Sequence, residues 1–469
     1  MNLQDHKTLI FLINFFEWVG LFNYPFYIFR DTKLVQKDVL EKWKEYNNTD
    51  GPTQLYVHTL FCETKCHFCN CVSYVENNES YIEKYKNYLK SEIDTYSQII
   101  TKPLDSLYFG GGTVTYWSEE DLEEIFSYVR KKFRIKENAT WMVELHPEST
   151  NRKKLEVLKK YGVTNVMLWL QSLNKELSLK NNRPYSWEKI RESIDHIVEL
   201  WFKSLYFDMM YALPFENIED VYSNMDALVE IGTSLYWKIE LNIEINKWNI
   251  SNNVPFYQLK VQKDHASFLD FVKAFLPEVQ EKTSIINDYI DKHLDHIFSK
   301  SRDEIDSRNR YNTAILWIGY AAISYIPRDC LYWLPVDYKN VRDFYSTQTS
   351  YQSVTLKQED DGYHFLLNNL RGWVPLDVFK DFLRKNPQAS SVLQTYKDKF
   401  HYTWNKIILE SNTDIETHLL SLCLYGEDIK REVYKNLLWE WIKLWNSGED
   451  LYKNIDMYLE MYYTRPHSY

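Results

Sequence analysis

Apolar and polar positions in the first half of the chain follow two alternating periods. Short runs rich in β-branched and aromatic residues predict buried strands, and longer stretches with apolar residues every three or four positions predict amphipathic helices. The predicted strands are 55–61, 106–110, 140–145, 165–171, 204–211 and 236–244. The predicted helices lie between them, at about 79–100, 118–133, 151–161, 186–201 and 219–231. Several helices begin at capping residues, such as Ser118 and the run Ser149-Thr150-Asn151.

This alternation predicts an α/β fold, with a parallel sheet covered by helices. Six strand–helix units fit a partial or full (β/α) barrel, in which chemistry takes place at the carboxyl ends of the strands. We expect this barrel core at 51–250, preceded by an N-terminal helical segment at 1–50 that packs on it. The alternation fades after 250, although 315–326 reads as a buried run. We therefore assign 251–355 to completion of the barrel and a second-cofactor or substrate region, and 356–469 to a smaller, mainly helical C-terminal domain.

Charge and hydropathy narrow the classes of function. A net charge of −11 over 469 residues disfavours nucleic acid as the main partner, because phosphate binding needs a basic face. The apolar N-terminal stretch is too short to span a bilayer, and Asp5 and Glu17 do not fit a secretory signal. We therefore expect a cytoplasmic protein that binds neither membrane nor nucleic acid.

Four of the six cysteines lie within ten residues, directly after the first predicted strand. Cys62, Cys66 and Cys69 have the spacing C-x3-C-x2-C, and Cys71 follows. Three thiolates on one short loop can hold three irons of a four-iron cluster and leave the fourth iron open for a ligand. A structural zinc site usually pairs two separated C-x2-C knuckles, although His58 or His67 could complete one here. A secreted disulfide scaffold does not fit this bunching.

The second predicted strand runs into three consecutive glycines, in a chain that has only 12 glycines. The stretch is YFGGGTVTYW, from Tyr108 to Trp117. Glycine at a strand end lets the backbone approach a ligand closely. Three polar side chains also fall at predicted strand ends, where a buried carboxylate needs a partner. They are Glu144, Gln171 and Asp208.

These motifs resemble the radical S-adenosylmethionine (SAM) enzymes, and among them the oxygen-independent coproporphyrinogen III oxidase-like family. This family includes the class C radical SAM methylases. The similar stretches are YVHTLFCETKCHFCNC, YFGGGTVTYW, VELHPES, YGVTNVMLWLQSLN and FDMMYALPFENIEDVYSNMDAL, each on a successive strand–helix unit. LWIGYAAIS and LLNNLRGWVPLDVFKDFL extend the likeness to roughly residues 20–385.

The resemblance implies a 4Fe-4S cluster, SAM in two copies, and roles for individual residues. Cys62, Cys66 and Cys69 would ligate the cluster. Tyr56 and Cys71 are the catalytic candidates, with Tyr56 near the cluster and Cys71 a hydrogen or proton donor rather than an iron ligand. The residues implied for the first SAM are Gly111, Gly112, Thr113, Glu144 and Arg183. Those implied for the second SAM are Gln171, Asp208 and Ile323.

The chain also departs from the family pattern, which leaves the reaction open. Trp169 and Ala212 stand where the family tends to have glycine, so Trp169 either reshapes the cavity or packs outward. The aromatic composition and these departures favour transfer of a methyl or methylene group from a second SAM to an sp2 carbon, giving C-methylation or cyclopropanation. So does the N-terminal third, where Arg30 stands nearly alone before Arg130. The alternatives are oxidative decarboxylation of a tetrapyrrole and a non-catalytic haem chaperone. Either enzyme would take a small unsaturated or tetrapyrrole substrate and an electron donor such as flavodoxin or ferredoxin.

Overall fold

A computed structural model describes most of the first half of the chain and shorter pieces of the second. The described residues are 32–69, 71–247, 278, 281–282, 284–294, 313–320, 322–327, 329–334, 350–355, 374–385, 400–402 and 406–409. The apolar N-terminal stretch lies outside them, and so does most of 264–281, where the sequence pattern predicts a helix. No helix in the described part is long and apolar enough to cross a membrane.

The centre of the molecule is a sheet whose parallel strands match the predicted ones. In the first half of the chain, its strands are β1 (Thr32–Val35), β2 (Thr53–Thr59), β5 (Leu104–Gly111), β6 (Ile135–Leu145), β7 (Asn165–Gln171), β8 (Ser204–Tyr211) and β9 (Glu240–Lys247). Two short strands, β3 (Phe61–Cys62) and β4 (Tyr74–Val75), form a separate pair beside it. β2, β5, β6, β7, β8 and β9 are neighbours in that order, and each pair is parallel. The predicted α/β architecture is confirmed.

Helices connect these strands. They are α1 (Gln36–Asn47), α2 (Glu79–Ser97), α3 (Glu119–Lys132), α4 (Arg152–Lys160), α5 (Lys175–Lys180), α6 (Trp187–Glu199) and α7 (Ile218–Leu235). The 3.6-residue period predicts five of them, whereas α1 lies within the predicted N-terminal helical segment and the short α5 was not predicted. The predicted caps are in place: the Ser118 side chain accepts a hydrogen bond from the Asp121 backbone N–H, and Asn151 accepts one from Lys154. Capping therefore fixes where α3 and α4 begin.

The two faces of the sheet differ in composition. On the outer face, Phe109 and Trp141 pack against Phe126 of α3, with ring centroids 4.3 and 5.2 Å from that ring. On the inner face, opposite the helices, Met142, Met167 and Tyr206 form a separate buried cluster, against which Tyr108 and Trp169 pack. Alternation along each strand separates the two sets, because successive side chains point to opposite faces. The outer face holds the main hydrophobic core, and the inner face is lined by polar and aromatic side chains.

An antiparallel extension continues the sheet beyond β2. It consists of β10 (Ala314–Ile318), β11 (Ile323–Ile326), β12 (Cys330–Trp333) and β13 (Ser350–Thr355), and β13 pairs with β1. β10 is parallel to β2, and β11 returns antiparallel to β10. The stretch read as one buried run at 315–326 is thus two strands, with the turn at Gly319, whose φ is +103°.

Two further boundaries differ from the sequence prediction. The last predicted strand begins at Glu240 rather than at 236, and Trp237 just before it is 70% exposed. Within the predicted C-terminal domain, the described residues form α8 (Leu376–Lys385) and a small sheet of β14 (Val374–Pro375), β15 (Phe400–Tyr402) and β16 (Lys406–Leu409). The division into four segments and the helical character of 356–469 remain predictions.

Candidate functional site at the carboxyl ends of the strands

The cysteine loop lies where β2 ends and is held there by backbone hydrogen bonds. Tyr74 N donates to Leu60 O at 2.8 Å, which closes the loop at its base. Farther out, His67 N donates to Asn181 O at 3.0 Å, and the Asn182 side chain donates to Lys65 O at 2.9 Å. The turn after α5 therefore fixes the position of the outer part of the loop.

Each of the three predicted cluster ligands has a hydrogen-bond donor beside its sulfur. Thr113 Oγ1 lies 3.5 Å from Cys62 Sγ. Arg183 Nη1 lies 3.6 Å from Cys66 Sγ, and Lys65 Nζ lies 3.6 Å from Cys69 Sγ. Two of these donors are cations, which stabilise thiolates and the negative charge of a thiolate-ligated cluster. The cysteines are free and partly buried, so this donor set fits an iron–sulfur cluster.

Cys71 differs from the other three cysteines because its thiol is a donor within the loop. Its hydrogen bond to the Cys69 sulfur, together with the Lys65 ammonium, lowers the pKa of Cys69. The same contact and burial raise the pKa of Cys71 itself. These opposite shifts agree with Cys71 as a residue outside the ligand set, and its catalytic role stays a prediction.

A single zinc ion fits this loop poorly. Its ligand atoms would lie within about 4 Å of one another, given Zn–S bonds of about 2.3 Å. Across the described residues, the one trio of such ligand atoms within 4.8 Å is Glu83, Asp121 and Glu124, which includes no cysteine. His58 could offer only Nδ1, which is buried without a partner, because its Nε2 lies 2.7 Å from Val72 O.

The glycine run packs so tightly that side chains are excluded. A Cβ on Gly110 would lie 2.6 Å from the Glu144 carboxylate, and one on Gly111, whose φ is +109°, would lie 2.3 Å from the His58 ring. A Cβ on Gly112 would lie 2.6 Å from Phe61 O. Gly112 N and Thr113 N donate to Thr59 O and Phe61 O. These two N–H groups are thus paired within the fold, and the carbonyl oxygens of the run are acceptors of the kind that an ammonium needs.

Glu144 connects this run to the inner face. Its carboxylate accepts hydrogen bonds from Gly111 N at 3.0 Å and from the Tyr108 hydroxyl at 2.7 Å. Burial raises the pKa of Glu144 to about 7, and the Asp208 carboxylate contributes to the same direction. A cation bound next to Glu144 would offset this burial, because it stabilises the charged carboxylate.

Gln171 and Asp208 meet at the ends of β7 and β8. Gln171 Nε2 donates to Asp208 Oδ2 at 2.6 Å, while the buried Gln171 Oε1 has no partner. A β-bulge between Trp169 and Gln171 shifts the register of β7 and brings the Gln171 side chain to Asp208. Gln171 has a φ of +64° at this bulge. Arg183 anchors the same bulge through a hydrogen bond to Trp169 O. Arg183 therefore links the cysteine loop to the predicted second-cofactor residues.

The remaining candidates lie on the other side of the mouth. The Tyr56 ring stacks on Tyr108 with centroids 5.3 Å apart and contacts Trp317 of β10 at 4.1 Å. The β10–β11 pairing, which aligns Ile315 with Tyr325, brings Ile323 opposite Trp317. The structure thus brings together Tyr56, the glycine run, Glu144, Arg183, Gln171 and Asp208, with Ile323 at the β10 edge.

Several residues of the site were not identified from the sequence. Glu244 of β9 is in register with Asp208, and it lies at the end of a predicted strand, which was the available signal. Lys65 and Trp317 lie inside the family-like stretches, but the sequence assigns them no role. Asn181 lies outside those stretches, and its role depends on a contact with His67, far away in the sequence. Trp169 was noted only as a departure, and the structure shows that it packs inward.

Comparison with known proteins agrees with this geometry. Residues 56–228 match the radical SAM superfamily. The chain is 23% identical over 375 residues to the heme chaperone HemW of Buchnera aphidicola, covering 77% of this chain and 93% of that protein. It is 27% identical over 184 residues to the oxygen-independent coproporphyrinogen III oxidase of Escherichia coli, covering 39% of this chain and 40% of that enzyme.

Among solved structures, the coproporphyrinogen III oxidase HemN from Escherichia coli, a radical SAM enzyme, has the same fold. The TM-score is 0.67 at 19% identity, over 83% of this chain and 93% of that one. Residues 56–228 therefore form a radical SAM domain, and in sequence, fold and cysteine loop the chain is similar to proteins of the coproporphyrinogen III oxidase-like family.

Proposed function

We propose that this radical SAM enzyme uses a second SAM molecule as a one-carbon donor to an sp2 carbon of a small, neutral or cationic substrate. The product would carry a new methyl group or a cyclopropane. The observation that carries this proposal is the chemistry of the inner face, which is aromatic and acidic where substrate would lie.

Carboxylates form a row across the mouth of the sheet. Asp208 and Glu244 are in register on β8 and β9, and Glu144 lies two strands away on β6. SAM carries a sulfonium and an ammonium, so carboxylates and aromatic rings are suitable neighbours for it. The aromatic side is supplied by Tyr56, Tyr108 and Trp317. These acidic and aromatic neighbours support the binding of a second SAM cation beside the first.

The residues of the chain would bind and orient these groups. Cys62, Cys66 and Cys69 would hold the cluster, with Arg183 and Lys65 offsetting its negative charge. Gln171 and Asp208 would orient the second SAM, since the Gln171 Oε1 acceptor is buried and unpaired. When bound, the cluster and the first SAM would supply the radical chemistry that abstracts hydrogen from a methyl group. Tyr56 would exclude water, and Cys71 would give a proton to the substrate carbon as the external donor supplies the electron. Electrons would come from a donor such as flavodoxin or ferredoxin.

Oxidative decarboxylation of a tetrapyrrole is the second candidate, and the sequence match to the coproporphyrinogen III oxidase favours it. A substrate with several carboxylates needs arginine or lysine around it. Arg183 and Lys65 are the described cations that contact the cysteine loop, and both already bind protein groups: Trp169 O for Arg183, and Cys71 O and Ser73 Oγ for Lys65. The described inner face thus supports this candidate less well than one-carbon transfer.

A haem-carrying role is suggested by the match to the heme chaperone HemW. Such a protein needs an axial ligand, and the histidines considered for this are His58 and His67. The neutral His58 ring is buried, Val72 O lies at its Nε2, and burial lowers its pKa to about 4. A stable Soret band after mixing with haem, without SAM turnover, would support this role instead.

The test is anaerobic turnover of reconstituted protein with a strong reductant and SAM deuterated in its methyl group. We expect deuterium in the released 5′-deoxyadenosine, together with S-adenosylhomocysteine. Equilibrium dialysis should show two SAM molecules per chain, and one in Asp208→Ala. Unlabelled 5′-deoxyadenosine, with carbon dioxide released from coproporphyrinogen III, would instead establish the decarboxylation candidate.

A further inference from the structure

We propose that Trp169 determines substrate specificity: it narrows the inner face and donates its indole N–H to the substrate. It would select a planar unsaturated heterocycle that offers a hydrogen-bond acceptor and carries no carboxylate arms. This inference deepens the proposed function, because it names the class of substrate for that same site.

The position of Trp169 is fixed by three contacts. It is in register with Asp208 of the next strand, at the end of β7. Its ring packs against the inner cluster of Met142, Met167 and Tyr206. Its backbone oxygen accepts a hydrogen bond from the buried Arg183. An indole held this firmly fills space above the inner cluster that a small residue would leave open for a larger ligand.

Two unpaired polar atoms lie on this bulge. Trp169 Nε1 is a buried donor without a partner, and Gln171 Oε1 is a buried acceptor without one. Leaving both unpaired costs about 1–3 kcal/mol each, so a ligand that pairs with them gains affinity. An unpaired indole is not by itself a site, since Trp141 Nε1 is also unpaired. Trp141, however, packs among Phe109 and Phe126 on the outer face, which α3 covers.

The charges around Trp169 determine which ligands it excludes. Asp208 lies beside it in register, and Glu244 lies beside Asp208. A carboxylate arm on the substrate would approach both acids, and this repulsion is strong at low dielectric. The flat indole face favours a planar ring through stacking. The donor then pairs with a ring nitrogen or a carbonyl oxygen. Together these features favour a neutral or cationic aromatic heterocycle over a tetracarboxylate.

The test compares two probes in binding titrations of the full-length reconstituted protein, with S-adenosylhomocysteine present and without reductant. Coproporphyrin III represents the carboxylate-bearing macrocycle, and quinoline represents a planar heterocycle with a ring-nitrogen acceptor. Trp169→Ala should bind coproporphyrin III at least about tenfold tighter than wild type, because the space is opened. Trp169→Phe should leave coproporphyrin binding near the wild-type value, and should weaken quinoline about twofold to tenfold through loss of the donor.

Trp141→Phe is the matched control, since it removes an unpaired indole N–H from the outer face of the adjacent strand. It should leave the binding of both probes unchanged. Equal coproporphyrin III affinity in wild type and Trp169→Ala, or quinoline binding that is indifferent to Trp169→Phe, would overturn the proposal. These titrations involve no SAM cleavage, so their failure is distinguishable from failure of one-carbon transfer, which only the deuterium experiment reports.

Discussion

The two faces of one sheet are built from the same strands but use buried polar groups differently. On the outer side, Glu92 of α2 accepts a hydrogen bond from Gly319 N at 2.7 Å, which fixes the turn after β10. On the inner side, Glu144 accepts hydrogen bonds from Gly111 N and the Tyr108 hydroxyl. Burial raises the pKa of both carboxyls to about 7. The acids are alike in burial, yet only Glu144 lies beside the cysteine loop and the other inner acids.

This comparison shows that burial alone does not identify a functional group. Glu92 belongs to the packing of a helix on a turn, so its removal should change stability. Glu144 belongs to a row of acids beside unpaired donors and acceptors, so its removal should change ligand binding. The predictions below test whether the two faces separate in this way.

The largest effect is expected from Cys66→Ala on the inner side. Loss of one thiolate removes one of three ligands from the predicted cluster, so the variant should lose its brown colour, its iron and all SAM cleavage. Iron per chain and the visible absorbance after anaerobic reconstitution measure this. Cys330→Ala is the control, since Cys330 is buried in β12 and should keep full iron. Full iron in Cys66→Ala would refute the ligand assignment.

The second-largest effect is expected on stability, from a substitution on the outer face. Phe126→Ala removes a fully buried ring that stacks on Phe109 and Trp141, and it should lower the free energy of unfolding by about 3–5 kcal/mol. Denaturant unfolding of the apoprotein measures this loss. Iron per folded chain should remain at the wild-type value, because no inner-face contact is removed. A matched loss of iron in the folded fraction would show that the two faces are not independent.

The repeating part of the fold was predictable because each strand–helix unit is specified locally. β7 and β8 have the predicted ends, since a continuous apolar run stops at Gln171 and Tyr211 with turn residues beyond. The antiparallel extension was not predictable, because β10 and β11 form one apolar run in the sequence that periodicity cannot divide into two strands. Its turn depends on Gly319, which contacts Tyr85 and His58 from elsewhere in the chain.

The candidate site shows the same limit. Its motif residues come from contiguous stretches, and those stretches lie at strand ends, so the cysteines, glycines and strand-end acids could be placed. Asn181 and the inward direction of Trp169 could not be found, because each depends on contacts between segments far apart in sequence. Lys65 contacts Cys69 within the same loop, and the conformation of that loop, rather than the spacing, directs its ammonium to the sulfur. The register between strands, which places Glu244 beside Asp208, also cannot be predicted from any one segment of the sequence.

A pH-dependent difference should distinguish Glu92 from a functional acid. The folded chain holds a proton on Glu92 up to about pH 7, whereas the unfolded chain releases it near the ordinary value of 4.5. The contribution of Glu92 to stability therefore falls as pH rises from about 4.5 to 7 and stays low above that. Glu92→Gln should match wild type at pH 4 and exceed it by up to about 3 kcal/mol at pH 8, as measured by urea unfolding. Iron per chain should not change, and an advantage that is the same at both pH values would contradict the assignment.

The smallest effect is expected at a turn on the opposite end of the sheet from the site. Gly162 and Trp201 each lie three residues before a strand, after α4 and α6, with φ of +89° and +56°. Both turns close the preceding helix with similar backbone hydrogen bonds, and glycine suits this conformation while tryptophan does not. Trp201 is 80% exposed, so its removal loses little burial.

Trp201→Gly should therefore raise the free energy of unfolding by about 0.5 kcal/mol, because relief of the left-handed backbone slightly exceeds the added entropy of the unfolded glycine. The control is the opposite substitution at the equivalent turn, Gly162→Ala. It should lower the free energy of unfolding by about 1 kcal/mol, since the added Cβ would lie 2.2 Å from Arg130 Nη2. Thermal unfolding of the two variants beside wild type measures both shifts. A destabilised Trp201→Gly would mean that the indole makes a contact that stabilises the fold, and the backbone explanation would then be wrong.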